Sequence, residues 1–252
     1  CEGAIKIDDL KDFCKDNRIN SVGLSDTSNL CASLEFSENI SKAGSQPIIG
    51  TQINFTYEKT TGLLPLIALN KIGYKRMLEL SSQSYLQNDS MSDPNVDISE
   101  LFKNTEGMIA FSGTINGLFG KLFQKGKFED ITKLYKKLSS LMGDRFYLEI
   151  QRHGDNNESS FEKNNLKQSN DLKIPLLFIS TAGIFDGKKD VYDESDHPNP
   201  IGHYAKSKYL GEKYVIEKAN SYLICRAGWM MGGGPNKDKK FIQKLMKSCF
   251  EK

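Results

Sequence analysis

Residues 171–189, DLKIPLLFISTAGIFDGKK, decide how this chain is read. Ile174 to Ile179 predicts a buried parallel strand, because a short unbroken apolar run suits a strand covered on both faces. The small-residue turn Ser180-Thr181-Ala182-Gly183 follows it. A hydroxyl pair at the C-terminal end of such a strand stands where α/β folds place their chemistry.

Upstream, strands alternate with helices. Ile7 to Asn17 predicts an amphipathic helix and Ser21 to Ser25 a strand. Leu30 to Ala43 predicts a helix that stops at Gly44. Strands are expected at Pro47 to Phe55, Leu63 to Leu69, Gly107 to Ser112 and Tyr147 to Gln151. Helices are expected at Ile72 to Ser84, Ile98 to Lys103, Lys127 to Met142 and Glu158 to Ser169. This order implies a parallel sheet or barrel. Downstream, Lys237 to Lys252 has helical spacing. Both ends read as cut, since the chain opens on Cys1 without an initiator Met and stops inside that helical pattern.

The 252 residues suffice for a real core, and 38% hydrophobic with 26% charged content suits a globular protein. A net charge of +2 gives no footprint for a nucleic-acid surface. The five cysteines (Cys1, Cys14, Cys31, Cys225, Cys249) are scattered and form no CxxC, which suits a reducing cytoplasm. No apolar run reaches the roughly 18 residues of a membrane span.

Several segments fall in a recognisable order: EGAIKIDDL, VGLSDTSNLCASLEF, KAGSQPIIGTQINF, GYKRMLELSS, EGMIAFSG and DRFYLEIQRHG. Together they resemble the PHP domain of the bacterial DNA polymerase III alpha subunit over residues 1–175. The resemblance implies a distorted seven-stranded α/β barrel. In active members of that family His, Asp and Glu at the strand ends hold metal ions that activate water against a phosphoester. Here the Asp-His pair reads Asp26-Thr27, the expected Glu reads Gln52, and the strand with the first His pair is expected before Cys1. Only Asp26 and His153 remain of that pattern. A metal needs several ligands converging within about 2 Å, so no metal site is expected. The resemblance then implies a scaffold role, with the replicative polymerase and its proofreading exonuclease as partners. A degenerate metal phosphoesterase is the outlying alternative.

Gly113, Gly117 and Gly120 follow a strand and open a helix, so they could cradle a pyrophosphate. No acidic residue closes a following strand, and a plain barrel loop is the competing reading.

From Leu176 the character changes. Ser180-Thr181, Phe185-Asp186-Gly187, Pro198-Asn199-Pro200 and Tyr204-Ala-Lys-Ser-Lys208 resemble the second half of an extended short-chain dehydrogenase of the dTDP-4-dehydrorhamnose reductase kind, over residues 176–252. The resemblance implies Thr181, Tyr204 and Lys208 as catalytic residues, with Ser180 as the substitute for Thr181. Tyr204 and Lys208 would also contact NADP(H) or NAD(H). Tyr and Lys four apart share one helix face, and an ammonium nearby favours the phenolate. The Gly-rich turn that anchors the dinucleotide should lie more than a hundred residues upstream, where polymerase-like sequence stands. His197 and His203 read as solvated. Trp229, Met230 and Met231 read as core or pocket wall, and Lys237 to Lys240 as a solvated helix start.

The fold class is therefore α/β: an incomplete PHP-type (β/α) barrel of mainly parallel strands, continued by the second half of a Rossmann-like reductase fold. The junction is expected at residues 175/176. The strand after it should dock on the edge left by Tyr147 to Gln151, with the helix from Glu158 covering it.

Overall fold

The computed structural model describes residues 5–87, 93–152 and 155–228. In chain order the elements are α1 (Ile7–Asp16), β1 (Ser21–Thr27), α2 (Ser33–Lys42), β2 (Gln46–Tyr57), β3 (Thr60–Ala68) and α3 (Lys71–Leu86). Next come β4 (Val96–Asp97), α4 (Ile98–Lys103), β5 (Met108–Phe111), α5 (Leu118–Gln124), α6 (Phe128–Met142) and β6 (Phe146–Ile150). The chain continues with α7 (Glu158–Leu172), β7 (Leu176–Thr181), α8 (His203–Lys218) and β8 (Tyr222–Ala227).

One mixed sheet runs β1-β2-β3-β5-β6-β7-β8, with β4 pairing on β2. The path does not close among the described residues, so the barrel is open. β1–β2, β2–β4, β5–β6, β6–β7 and β7–β8 are parallel. β3 departs from the expected parallel order, since it pairs antiparallel with both β2 and β5. The reason is local. Only Glu58 and Lys59 separate β2 from β3, too few residues for a crossover, so the chain must turn back in a hairpin. Glu58 takes the left-handed φ of 52° that such a turn uses.

β7 docks parallel on β6, pairing Leu148 with Leu176, Glu149 with Leu177 and Ile150 with Phe178. The helix between them is α7, as expected at the junction. The boundaries move by two residues, however. The strand runs to Thr181, because Ser180 and Thr181 still pair with Arg226 and Ala227 of β8. The turn after it is a 3₁₀ helix over Ala182–Ile184. Leu176, Leu177 and Phe178 are all buried, as a strand covered on both faces requires.

The main core runs through the sheet's inner strands and α3 to α8. Phe119, Tyr135 and Phe146 form its aromatic centre, with ring centroids 4.5 to 6.3 Å apart. The Tyr135 hydroxyl donates to Asn165 Oδ1 at 2.9 Å, so α6 and α7 are tied inside that core. A smaller cluster of Cys14, Phe36 and Ile40 fixes α1 and α2 against β1. Asn70 caps α3 by accepting from the backbone N of Ile72 and Gly73, a contact worth about 1 kcal/mol. Among the described residues no helix is long and apolar enough to cross a membrane. The sequence readings at Trp229 to Met231 and Lys237 to Lys252 lie outside the described residues.

Candidate functional site

All strands of the sheet's main path except β3 run in one direction, so their C-terminal ends share one rim. Two groups of polar side chains gather there, one on each side of β7.

The first is a cleft of about 370 Å³ at the barrel mouth. Ser25 of β1, Gln52 of β2, Thr114 and Asn116 after β5, and Glu149 and Gln151 of the β6 end supply its polar wall. Leu63, Pro65, Phe111 and Leu177 supply its apolar wall. Leu177 belongs to β7, so both sides of the expected junction line one cleft. Glu149 is only 7% exposed. Its backbone N donates to Ser112 Oγ at 2.8 Å, and its carbonyl accepts from Asn165 Nδ2 at 3.2 Å. Its carboxyl accepts from Gln151 Nε2 and from the Gly113 backbone N. Burial pushes this carboxyl above its ordinary range, because these two hydrogen bonds do not offset the lost hydration. Among the described residues the cleft wall contains no Lys, Arg or His.

Among the described residues the metal pattern is not brought together there. Gln52 faces the cleft, but Asp26 does not line it; Ser25 does. Side chains alternate along a strand, and Asp26 shares its face with Val22 and Leu24, which pack towards α1 and α2. His153 lies outside the described residues. No cluster of three or more potential metal-ligating side chains occurs among the described residues.

The glycines at 113–120 have a packing role. A Cβ on Gly117 would sit 2.9 Å from the Leu63 carbonyl oxygen, and one on Gly120 would sit 2.0 Å from that of Ile115. These positions bring α5 against β3 and its own preceding loop. Close packing accounts for Gly117 and Gly120 without a phosphate, while Gly113 and Gly117 also line the cleft.

The second group lies on α8 and the end of β7. Lys208 is 4% exposed, and its Nζ donates to the Ile179 carbonyl at 3.2 Å. That Nζ lies 5.8 Å from the Tyr204 ring centroid and 6.0 Å from that of Phe178. Burial, helped by the nearby Arg152 guanidinium, lowers the Lys208 ammonium below its ordinary range. Tyr204 is 61% exposed. Thr181 Oγ1 accepts from the Gly183 backbone N at 3.2 Å, and so caps the turn after β7. Ser180 is buried, and its hydroxyl has no hydrogen-bond partner. The fold thus brings Tyr204 and Lys208 together on one helix face, while the Thr181 hydroxyl is engaged in its own turn. His197 and His203 are exposed.

The loop between β7 and α8 is organised by Asp186. Its carboxyl accepts from the Tyr192 hydroxyl at 2.7 Å, from Asn199 Nδ2 at 3.0 Å and from the Lys188 backbone N at 3.2 Å. These bonds hold it far below the usual carboxylate range. They explain why the FDG and PNP motifs occur together: one supplies the acceptor and the other a donor. Phe185 stacks on Tyr192 at 4.5 Å beside a cavity of about 720 Å³, which Cys225 and Arg226 also line. Thr181, Tyr204 and Lys208 are not in that cavity's wall.

Three functional-looking groups gave no sequence signal. The Arg152 guanidinium pairs with Glu162 and also donates to the Ser207 carbonyl at 3.4 Å. It lies 5.6 Å from the Phe178 ring centroid. An arginine of the polymerase-like side therefore holds the helix that carries Tyr204 and Lys208. Gly211 of α8 makes the approach possible, since a Cβ there would fall 2.5 Å from Arg152 Nη1. Arg226 makes a two-pronged pair with Glu212, which is fully buried. The third group is Glu149. Spatial proximity identifies these residues, because Arg152 and Arg226 find their carboxylates 10 and 14 positions away and Glu149 meets the Gly113 backbone from a separate strand end.

The described residues supply a tyrosine and lysine pair, yet they offer no cradle for a dinucleotide pyrophosphate. The glycine-rich turn opens onto a cleft whose described wall carries a carboxyl and no cation, and the Lys208 ammonium is bonded to the Ile179 carbonyl of β7. They do not fit a nicotinamide dinucleotide, and no hydride-transfer step is derived from them.

Comparison with known proteins gives a different family model for each part of the chain. Residues 1–153 match the PHP domain family, and residues 158–251 match the RmlD substrate binding domain. The DNA polymerase III subunit alpha of Rickettsia conorii is 31% identical over 217 residues, covering 86% of this chain and 18% of that protein. The same subunit of Caulobacter vibrioides is 32% identical over 204 residues, covering 77% of this chain and 18% of that protein. This chain therefore spans under a fifth of the length of those relatives. Among solved structures, dTDP-4-dehydrorhamnose reductase from Bacillus anthracis, in complex with NADP, is 23% identical with a TM-score of 0.34. That match covers 50% of this chain and 47% of the reductase. The chain thus joins a PHP domain similar to that of DNA polymerase III alpha to a reductase-like C-terminal region.

Proposed function

The chain belongs to the PHP domain family, and from that premise we propose that it acts as a non-catalytic scaffold. The observation that carries this reading is the composition of the barrel-mouth cleft. Carboxamides and one buried glutamate stand where hydrolysis would need converging metal ligands. The partners proposed are the replicative polymerase and its proofreading exonuclease. The division proposed is residues 1–175 for the PHP-like part and 176–252 for the reductase-like part, because β7 opens at Leu176.

The test is hydrolysis of a phosphodiester substrate by the purified chain with manganese or zinc supplied, alongside metal analysis. The expected result is no turnover above the buffer rate and no stoichiometric ion. Turnover lost on substituting Gln52 and Glu149 together would overturn the scaffold reading in favour of the degenerate phosphoesterase.

One observation favours a second reading, a reductase using Thr181, Tyr204 and Lys208 with NADP(H) or NAD(H). Lys208 Nζ and the Tyr204 ring are neighbours on α8, at the C-terminal end of a parallel strand. Titrating NADPH by fluorescence separates the readings. The scaffold reading expects no change with folded protein. Saturable binding, with turnover abolished in Tyr204→Phe, would establish the reductase.

A further inference from the structure

Glu149 is buried at the wall of a cleft wide enough for a small molecule, and among the described residues no cation lines that cleft. Its carboxyl is met by Gln151 and Gly113, both uncharged donors. On α7, Glu158 and Glu162 line with Glu149 a separate narrow gap between β6 and the helix. Glu162 is committed to Arg152, and Glu158 brings no positive charge. On β8 the ionisable neighbour is Cys225, whose thiol is pushed up by burial and by Glu149 itself. Every other buried glutamate of known pairing in this rim has an arginine: Glu162 has Arg152 and Glu212 has Arg226. A buried carboxylate without a counter-charge is costly, and it is relieved either by a proton or by a bound cation.

The rest of the cleft states which cation would suit. Three carboxamides (Gln52, Asn116, Gln151) and two hydroxyls (Ser25, Thr114) line it, and their oxygens accept from N–H donors. The Gln52 side chain makes no hydrogen bond within the described residues, so its oxygen is available. Leu63, Pro65, Ile67 and Leu177 form an apolar floor, with Phe111 beside it. Among the described residues a phosphate or other anion would meet a carboxyl and no basic group. A divalent metal would find no cluster of three ligating side chains among the described residues.

We infer that the barrel-mouth cleft is a binding site for a small organic ammonium ion, with the Glu149 carboxylate as counter-ion, the carboxamide oxygens as acceptors and the aliphatic floor covering the ligand's carbon chain. The inference stands independently of the scaffold reading, because binding needs no catalysis.

The probe is n-butylammonium chloride, with n-butanol as the uncharged partner of equal length, titrated into the whole chain and followed by calorimetry and chemical-shift perturbation. The carboxyl is protonated in the empty cleft at low pH, so binding releases a proton there. Affinity is expected to rise about tenfold for each pH unit below the Glu149 pKa and to level off above it. Calorimetry in two buffers of different ionisation heat reads the released proton directly. Glu149→Gln keeps the shape and removes the charge. It should abolish n-butylammonium binding while the circular dichroism stays native. Equal binding of n-butanol would show a merely apolar pocket. Equal binding by Glu149→Gln, or no binding by folded wild-type protein across the pH range, would overturn the inference.

Discussion

Two buried glutamates, one on each side of β7, are treated in opposite ways. On the polymerase-like side, Glu149 is buried among carboxamides with no cation in its cleft among the described residues. On the reductase-like side, Glu212 is fully buried and gripped by Arg226 through two hydrogen bonds. Both carboxyls lie close to the same strand. The difference teaches that local sequence does not fix the electrical state of a buried acid; what the fold brings opposite it does. Lys208 mirrors Glu149. It too is buried, has a single carbonyl as its hydrogen-bond partner, and shifts towards its neutral form.

The sharpest way to break this comparison is to remove a partner on the paired side. Arg226→Met should leave Glu212 buried and alone. The expected loss is about 3 kcal/mol of unfolding free energy by urea denaturation. A loss under about 0.5 kcal/mol would mean that water reaches Glu212 and that the pair resembles a surface bridge.

Next in size is the contact that binds the two sides together. In Gly211→Ala the new Cβ would lie 2.6 Å from Phe178 Cζ and 2.5 Å from Arg152 Nη1. The guanidinium can swing away, but the Phe178 ring is in the core. Overpacking of this kind costs about 1–3 kcal/mol. Hydrogen exchange should locate the loosening in α8 and β7. Loosening spread evenly over the barrel would show that the junction transmits strain throughout.

The smallest effects, and the most telling in sign, come from pH. Glu149 holds its proton more tightly folded than unfolded. Its contribution to stability is therefore greatest in acid and falls as pH rises from the unfolded pKa to the folded one. Lys208 has a folded pKa below its unfolded value, so the folded state sheds this proton first. Its contribution is least favourable at low and neutral pH, and it improves as pH rises through the folded towards the unfolded pKa. Glu149→Gln should remove the mildly acid decline, and Lys208→Met should remove the alkaline recovery. Denaturation midpoints across pH measure both. Unchanged slopes in either variant would sink the reading of that group.

The overlap of the two likenesses has a physical basis in β7. An alignment of 217 residues in a chain of 252 runs past residue 175, into territory that also matches the reductase domain. Both sides want the same thing of Leu176 to Ile179: a β-rich strand buried on two faces beside a parallel neighbour. The pairing of Leu148 with Leu176 and of Leu176 with Tyr222 meets that need from both directions.

Much of the architecture was legible because it is written in local pattern. The amphipathic spacing of Phe128 to Met142 places Ile131, Leu134, Tyr135 and Leu138 in the core. Apolar runs marked β5, β6 and β7 within about two residues. The tyrosine and lysine pair was legible too, since a spacing of four is a property of one helix. The antiparallel β3 was missed because strand alternation says nothing of direction; the two-residue Glu58-Lys59 turn decides that. By itself the sequence determined the family likenesses, the elements and which residues share a helix or strand face. Only the tertiary structure decided that Glu149 has no cation opposite it among the described residues, that Glu212 has Arg226, that Asp26 turns away from the cleft and that Arg152 reaches α8. Those outcomes depend on groups far apart in the chain meeting out of water, and a linear pattern of residues carries no record of which charges will meet there.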